Sequence, residues 1–449
     1  MNRKGVFDMD LGQALLSVGS GGRAESFEVF GRAIDAQWVE QALAATGSAT
    51  VRRRKLPAEQ VLWVVIAMGL FRDRSIQEVV HHLDLVLPAR GGSTRRGVVT
   101  SSAVVQSRDR LGAAPLATLF EQTATRWAGA SADAYRWRGL SVYGVDGSAL
   151  RIPDTPENEG AFGRPGSSRG TAAYPQLRLV VLMVLRSHLL AGVSLGPWSK
   201  GEIALAEPLW ARLPDRSLTI LDRGFLSYAL LQRLATSGAE RHWLIRAKSN
   251  LQWRTVKRLG PNDELVEILV SRKTRRDHPE LPDPLQVRAV RYQRQGFRPQ
   301  TLLTSLLDPA TYPAAEIAEL YHERWELELG FDEIKTHTLE REEALRSRAP
   351  ERIRQEVWGL AIAYNLLRLH MQHVAQRERV APSRISFRHT LLLVRNFWQL
   401  TAWLASPGNL PRRLEGLHQE LALLILPPRR PRRYPRAVKI KLSNYPRSR

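Results

Sequence analysis

The order of apolar runs between residues 139 and 236 restricts the fold more than any other feature of this chain. "LSVYGVDGSALRI", "QLRLVVLMVLRS" and "LLAGVSLGPW" are β-branched, apolar runs with the look of three strands. "GEIALAEPLWARL" then spaces its apolar residues at three and four, as a helix does. "LTILD" is a short buried-type strand, and "SYALLQRLATSG" is helical again. Three strands, a helix, a strand and a helix require a sheet covered by helices, so the fold class is α/β. Strand signals return in "RHWLIRAKS" and continue raggedly to "QTLLTSLLD", before a helix expected from 314 to about 337. This describes a sheet domain over 139–345 with a β-rich insertion at about 241–305, placed before the last helix. The Gly, Pro and Ser content of "TPENEGAFGRPGSSRGTAAYP" reads as a loop.

The flanks are helical. "AIDAQWVEQALAAT", "PAEQVLWVVIAMGLF" and "SIQEVVHHLDLVL" define an N-terminal helical domain, residues 1–95, with the basic connector "VRRRK" at 51–55. A helical connector over 96–138 follows, and 346–449 is a helical C-terminal region. Its tail after Pro428 carries nine Lys or Arg and no acid. Lys plus Arg number 66 against 44 Asp plus Glu, a formal charge of +22, which gathers an anionic polymer such as nucleic acid. There is no cysteine, which excludes disulfides and thiolate zinc fingers, and the eleven histidines show no zinc-building pairing. The start lacks a signal-peptide core, and the greasiest stretch, 179–196, is interrupted by Arg186 and His188. A cytoplasmic, nucleoid-associated protein is expected.

One basic chain nevertheless packs five carboxylates into "YHERWELELGFDEIK", residues 321–335. At about 100° per residue, Tyr321, Arg324, Glu328, Asp332 and Lys335 share an arc of about 80°. Glu323, Glu326 and Glu333 fall on the other side and read as solvated surface acids. Charges at i,i+4 on a helix are common, yet Glu328 and Asp332 repel unless a cation lies near them. Asp146 and Asp222 each end an apolar run, and strand ends in α/β sheets converge on the edge where ligands bind. Each could equally be a turn or helix cap. Two aspartates with a helix-borne glutamate form the oxygen donor set of a hard divalent cation. A pair of such ions performs phosphodiester chemistry.

The spacing Tyr321, Arg324, Glu328, Lys335 resembles the signature of bacterial insertion-sequence-four-type transposases. "VDGSALRIPDTPEN", "LDRGFLSY", "YHERWELELGFDEIKT" and the ending "RAVKIKLSNYPRSR" are similar to that family's recurring blocks. The resemblance spans nearly the whole chain. It implies a ribonuclease-H-like catalytic domain with a mostly β insertion and an Asp-Asp-Glu triad of Asp146, Asp222 and Glu328, holding two Mg²⁺ (or Mn²⁺) ions. It assigns Tyr321, Arg324 and Lys335 to phosphate contacts at the transposon end, with Arg223 and Trp325 beside them. The reaction it implies is cut-and-paste transposition through a hairpin intermediate, with an aromatic ring stacking on a flipped base. Trp325 is one candidate for that ring, and Trp253 in the insertion is another. Double-stranded DNA, in the form of terminal inverted repeats and target, would be the partner, and a homodimer would form in the synaptic complex. Glu202 reads as a helix-start acid. A catalytically silent DNA-binding protein of the same fold, or a related nuclease, are the competing readings.

Overall fold

The computed structural model describes residues 34–48, 56–82, 99–167, 170–279, 281–294, 297–340, 344–404 and 410–429. The basic connector 51–55 and the tail beyond Arg429 lie outside the described residues. Helices α1 (Ala36–Ala45), α2 (Ala58–Leu70), α3 (Ile76–His82), α4 (Ser101–Leu111) and α5 (Ala114–Ala134) come first. Every residue of α2 from Val61 to Leu70 is buried, so this helix is core rather than amphipathic surface.

The sheet begins with β1 (Ser141–Arg151). Helix α6 (Pro156–Phe162) and the small hairpin β2 (Gly166–Ser167) and β3 (Gly170–Thr171) lead to β4 (Gln176–Val184) and β5 (Leu190–Pro197). Helix α6 lies inside the segment read as loop. Thr155 accepts a hydrogen bond from Asn158 N at 3.2 Å and Pro156 opens the first turn, a start signal that the surrounding Gly and Ser obscure. Next come α7 (Glu202–Ala206), β6 (Ser217–Leu221), α8 (Tyr228–Thr236) and β7 (Arg241–Arg246). Pro208 lacks the N–H that would continue α7, and residues 207–212 tighten into a 3₁₀ turn.

β1 pairs antiparallel with β4, and β4 with β5, whereas β1, β6 and β7 run parallel. This five-strand order, β5-β4-β1-β6-β7, is the ribonuclease-H-like core. β7 therefore belongs to the core, although it falls within the segment 241–305 read as insertion. The remaining strands, β8 (Arg254–Gly260), β9 (Asp263–Ile268), β10 (Leu285–Tyr292) and β11 (Gln300–Thr304), with α9 (Arg272–Asp277) between β9 and β10, extend the same sheet to nine strands. β6 is buried throughout, as expected for a parallel strand covered on both faces.

The helix expected over 314–337 has four parts. They are α10 (Ala314–Tyr321), a 3₁₀ turn His322–Arg324, α11 (Trp325–Asp332) and a π-helical segment Glu333–Thr338. Long α12 (Pro350–Arg377), α13 (Phe387–Leu404) and α14 (Leu410–Ala422) complete the chain. α12 touches α2 almost backbone to backbone. A Cβ added to Gly359 would lie 2.6 Å from Val65 O, and one added to Gly69 would lie 3.0 Å from Leu360 Cα. Buried Arg108 adds hydrogen bonds to Gln355 at 3.0 Å and Ser347 at 3.1 Å, so the N-terminal helices and α12 share one core. No helix among the described residues is long and apolar enough to cross a membrane.

Two glycines seat α11 on the sheet. A Cβ on Gly144 of β1 would come 2.8 Å from Leu327 Cδ1, and one on Gly330 of α11 would come 2.4 Å from Met183 of β4. Close packing at both points leaves the helix little freedom to drift.

Candidate active site

Strand register brings the first two carboxylates together. Val145 of β1 lies opposite Leu221 of parallel β6, so the next residues, Asp146 and Asp222, stand on neighbouring strands at one level, roughly 4.8 Å apart in backbone. The same rule extends one strand further: Leu221 pairs with Ile245 of β7, which sets Arg246 beside Asp222. The sheet edge thus reads carboxylate, carboxylate, guanidinium. β1 does not end at Asp146 but runs on to Arg151, its residues turning half-buried from Asp146 to Ala149 as the strand enters the site. Asp222 makes no capping hydrogen bond to the turn that follows it, so the cap reading fails there.

α11 supplies the third carboxylate. Gly144 and Asp146 face the same side of β1, and Leu327 packs on Gly144, so adjacent Glu328 arrives on that side. Arg324 Nη2 donates to Glu328 Oε1 at 2.8 Å, while its Nη1 lies 4.0 Å from Asp222 Oδ1. One guanidinium thus bridges two of the three predicted acids. Asp332, the other acid on the arc, accepts instead from Thr336 Oγ1 at 2.6 Å.

Asp146 is half-buried on β1. Burial raises its pKa, the Gly147 N–H at 2.8 Å and Arg324 oppose the rise, and Asp222 and Glu202 add to it, leaving the carboxyl at about 6. Glu202 lies against the same strand, since a Cβ on Gly147 would meet its Cδ at 2.5 Å. It is therefore part of the electrostatic setting as well as a helix-start acid. Among the described residues no three Asp, Glu or His side chains are drawn close enough to enclose a metal ion. The donor chemistry nevertheless suits one: the acids are hard oxygen donors, two already share a cation, and the third is raised mainly by burial, with Asp222 and Glu202 adding to it.

A cavity of about 930 Å³ opens over this edge. Of the predicted residues, Asp222, Arg223, Tyr321, Arg324, Trp325 and Glu328 line it. Asp146 lies beneath it. Lys335 does not line it, because the wider π turn carries that residue off the arc an α-helix would give. Trp253 lines a different, smaller pocket with Arg258 and Arg291, away from this site. Burial pushes the Tyr321 hydroxyl up to about 12, and it lowers His322, with help from Arg294, to about 4, so both are uncharged at neutral pH.

Several wall residues escape sequence reading. Arg246 required the β6–β7 register. Tyr292, Arg294, Phe297, Arg298 and Gln300 come from the β10–β11 hairpin, whose tip hangs over the cavity. The alternation of cationic and aromatic residues in "YQRQGFRP" is the one available signal, and it is indistinct without a neighbouring site. Arg429 arrives from beyond α14.

Three acids read as solvated are not. Glu323 accepts from Arg186 at 2.8 Å, Glu326 from Arg429 at 2.7 Å, and Glu326 also meets His188 Nε2 at 2.7 Å. Glu333 is almost enclosed and paired with Arg368. Each of the three is thus engaged by a partner from the β4–β5 turn, α12 or the C-terminal segment rather than left free.

Two family models match the chain: Insertion element 4 transposase N-terminal over residues 24–121, and Transposase DDE domain over residues 137–366. Transposase InsG for insertion sequence element IS4, from Escherichia coli (strain K12), is 36% identical over 415 residues, 92% of each chain. Putative transposase InsZ of the same organism is 33% identical over 283 residues, covering 60% of this chain and 90% of its own. A solved cryo-EM structure, the piggyBac transposase synaptic complex with hairpin DNA, aligns with 91% of this chain and 86% of that one at a TM-score of 0.45 and 11% identity. DDE domains act on DNA with divalent metal ions. The chain belongs to the insertion-element-4 family of DDE transposases, DNA-cleaving and strand-transferring enzymes.

Proposed function

We propose that Asp146, Asp222 and Glu328 are the catalytic carboxylates of a cut-and-paste transposase and hold two divalent ions, Mg²⁺ or Mn²⁺. The observation that carries this reading is the shared level of Asp146 and Asp222 on parallel strands, with Glu328 brought to the same side by the Gly144–Leu327 contact. When bound, the ions activate the attacking oxygen and stabilise the departing one. The protein's own groups do the positioning. Arg324, released from Glu328 by an entering phosphate, grips that phosphate, and Arg223 and Arg246 flank it; guanidinium forks suit phosphate geometry. Tyr321, neutral and buried, donates its hydroxyl to the same group. Lys335 acts from just outside the cavity.

A hairpin intermediate requires a base to leave the stack, and an aromatic face stabilises it. Trp325, 45% exposed beside the Arg324 guanidinium, and Phe297 of the β10–β11 hairpin are the rings at the cavity proposed for this role. Trp253 is not among them. The protein acts as a homodimer on terminal repeats and target DNA in the nucleoid. Residues 1–95 serve end recognition, 96–138 form a helical connector, 139–345 carry catalysis, and 346–449 form a helical region with a basic tail.

The test is excision in cells from a plasmid carrying the gene with its native flanks. Asp146→Asn, Asp222→Asn and Glu328→Gln each lower excision on the order of 10³-fold or more, and Asp332→Asn retains it. Excision by Glu328→Gln would reject the assignment and turn attention to Asp332.

A further inference from the structure

A second set of charges surrounds the helix that carries Glu328, reaching the cavity wall at Glu326 and Arg429. His188, in the β4–β5 turn, is fully buried and holds a φ of 62°, the left-handed region that glycine adopts more cheaply. Its Nε2 lies 2.7 Å from Glu326 Oε2 and its Nδ1 3.3 Å from Glu333 Oε2. Arg368 of α12 bonds both Glu333 and His188, and Tyr364 donates to Glu333 at 2.8 Å. At the outer end, Arg429 donates twice to Glu326, at 2.7 and 2.9 Å.

Glu326 and Glu333 bracket Glu328 in sequence, Glu333 turned inward to Arg368 of α12 and Glu326 held at the cavity edge between His188 and Arg429. Two directional anchors about two turns apart set the roll of a helix as well as its distance from the sheet. Apolar packing alone sets mainly the distance. A buried ion cluster of this kind offers little net stability over a hydrophobic replacement. A catalytic carboxylate, by contrast, must be held within about 0.5 Å of its working position.

We propose that His188 is a positioning residue of the cleavage reaction: tying Glu326 and Glu333 to the β4–β5 turn, it fixes the roll of α11 and so the placement of Glu328, and Arg429 completes the tie from the C-terminal segment. This rests on Glu328 being a catalytic carboxylate. It gives a function to the left-handed conformation of His188 and a role to Arg429.

The experiment uses the full-length protein and a duplex copied from the DNA flanking the gene. It measures the Kd for that duplex, the single-turnover nicking rate and the Tm for His188→Ala, His188→Gln, Arg429→Ala and the double variant His188→Gln/Arg429→Ala. His188→Ala lowers the nicking rate on the order of 10- to 100-fold at unchanged Kd, and His188→Gln, which keeps an amide donor, recovers part of it. Arg429→Ala, at the surface, lowers the rate about two- to fivefold. The double variant falls short of the product of the singles, because both act through Glu326. Nicking at the wild-type rate in Arg429→Ala, independent multiplication of the two effects, or a parallel loss of rate, DNA affinity and Tm in His188→Ala would each overturn the proposal. Glu328→Gln runs alongside: if it nicks, the triad itself is wrong, whereas an inactive Glu328→Gln beside a fully active His188→Ala defeats only the role of His188.

Discussion

Glu328 and Glu333 stand five residues apart on one continuous helical stretch and have opposite surroundings. The Glu328 side chain is 40% exposed and has one cationic partner, Arg324, itself shared with Asp222. The Glu333 side chain is 13% exposed and meets Arg368, His188 and Tyr364. The first arrangement leaves oxygen lone pairs available and tolerates exchange of partners. The second uses its lone pairs within the protein and cannot change without loosening the fold. On the proposed reading, the carboxylate for chemistry is held from a distance, by the packing of its helix, and the carboxylate for structure is held directly.

Substituting the two residues in parallel gives the widest separation expected. Glu333→Gln leaves Arg368 buried beside an uncharged group and lowers the unfolding free energy by about 3–5 kcal/mol, read by chemical denaturation. Glu328→Gln changes it by no more than about 0.5 kcal/mol, since its loss relieves acid crowding while costing one exposed ion pair. Equal losses in both would remove the distinction between the two faces.

Acid titration sharpens the same contrast. Burial alone would raise the Glu333 pKa, but Arg368 and His188 outweigh it and bring the carboxyl from 4.5 down to about 2. The folded state then binds that proton less tightly than the unfolded chain. The contribution is complete above pH 4.5 and disappears as pH falls through about 2, amounting on the order of 3 kcal/mol. Wild type loses this stability over that window, and Glu333→Gln has none of it to lose, so their stabilities approach each other on acidification. A constant difference from pH 5 to pH 2 would contradict the assigned charge state.

What the sequence made legible divides along the same line. The candidates Asp146, Asp222 and Glu328 could be nominated because apolar runs and i,i+4 spacing are local patterns and the Tyr-Arg-Glu-Lys spacing is specific, although β1 runs on past Asp146 to Arg151. The covering of the back face was not, since His188 lies about 140 residues and Arg368 about 35 residues from Glu333, and no local period announces a distant partner. Uniform 100° steps also assumed one regular helix. The 3₁₀ turn at 322–324 and the π segment from Glu333 break that phase, which is why Lys335 leaves the arc. Arg246 needed a strand register that apolar runs cannot supply. The sheet itself, by contrast, followed from order alone, because few topologies satisfy three strands, a helix, a strand and a helix.

Gly144 connects the two faces, because it sets how close α11 comes to β1. An added methyl group meets Leu327 Cδ1 at 2.8 Å and Leu185 Cδ2 at 2.6 Å, side chains packed too tightly to yield freely. Gly144→Ala costs about 1–3 kcal/mol in denaturation, and it lowers the nicking rate more than DNA binding because Glu328 moves with the helix. Stability and rate both at wild-type values would show that the glycine does not govern the approach.

The smallest effect belongs to Glu323, on the helix's third side. It receives Arg186 Nη2 at 2.8 Å and Nε at 3.0 Å, but both side chains are more than a quarter exposed. Water therefore screens the pair, and Arg186 keeps its hydrogen bonds to Tyr135 O and Arg136 O after the carboxylate is lost. Glu323→Gln changes stability by about 0–1 kcal/mol and leaves nicking unaltered. This acid shares the helix but anchors only its start, within the 3₁₀ turn, where a small shift is absorbed ahead of Glu328. A nicking defect in Glu323→Gln comparable to that of His188→Ala would mean that any charge around this helix tunes the site, and the division between a working face and a holding face would fail.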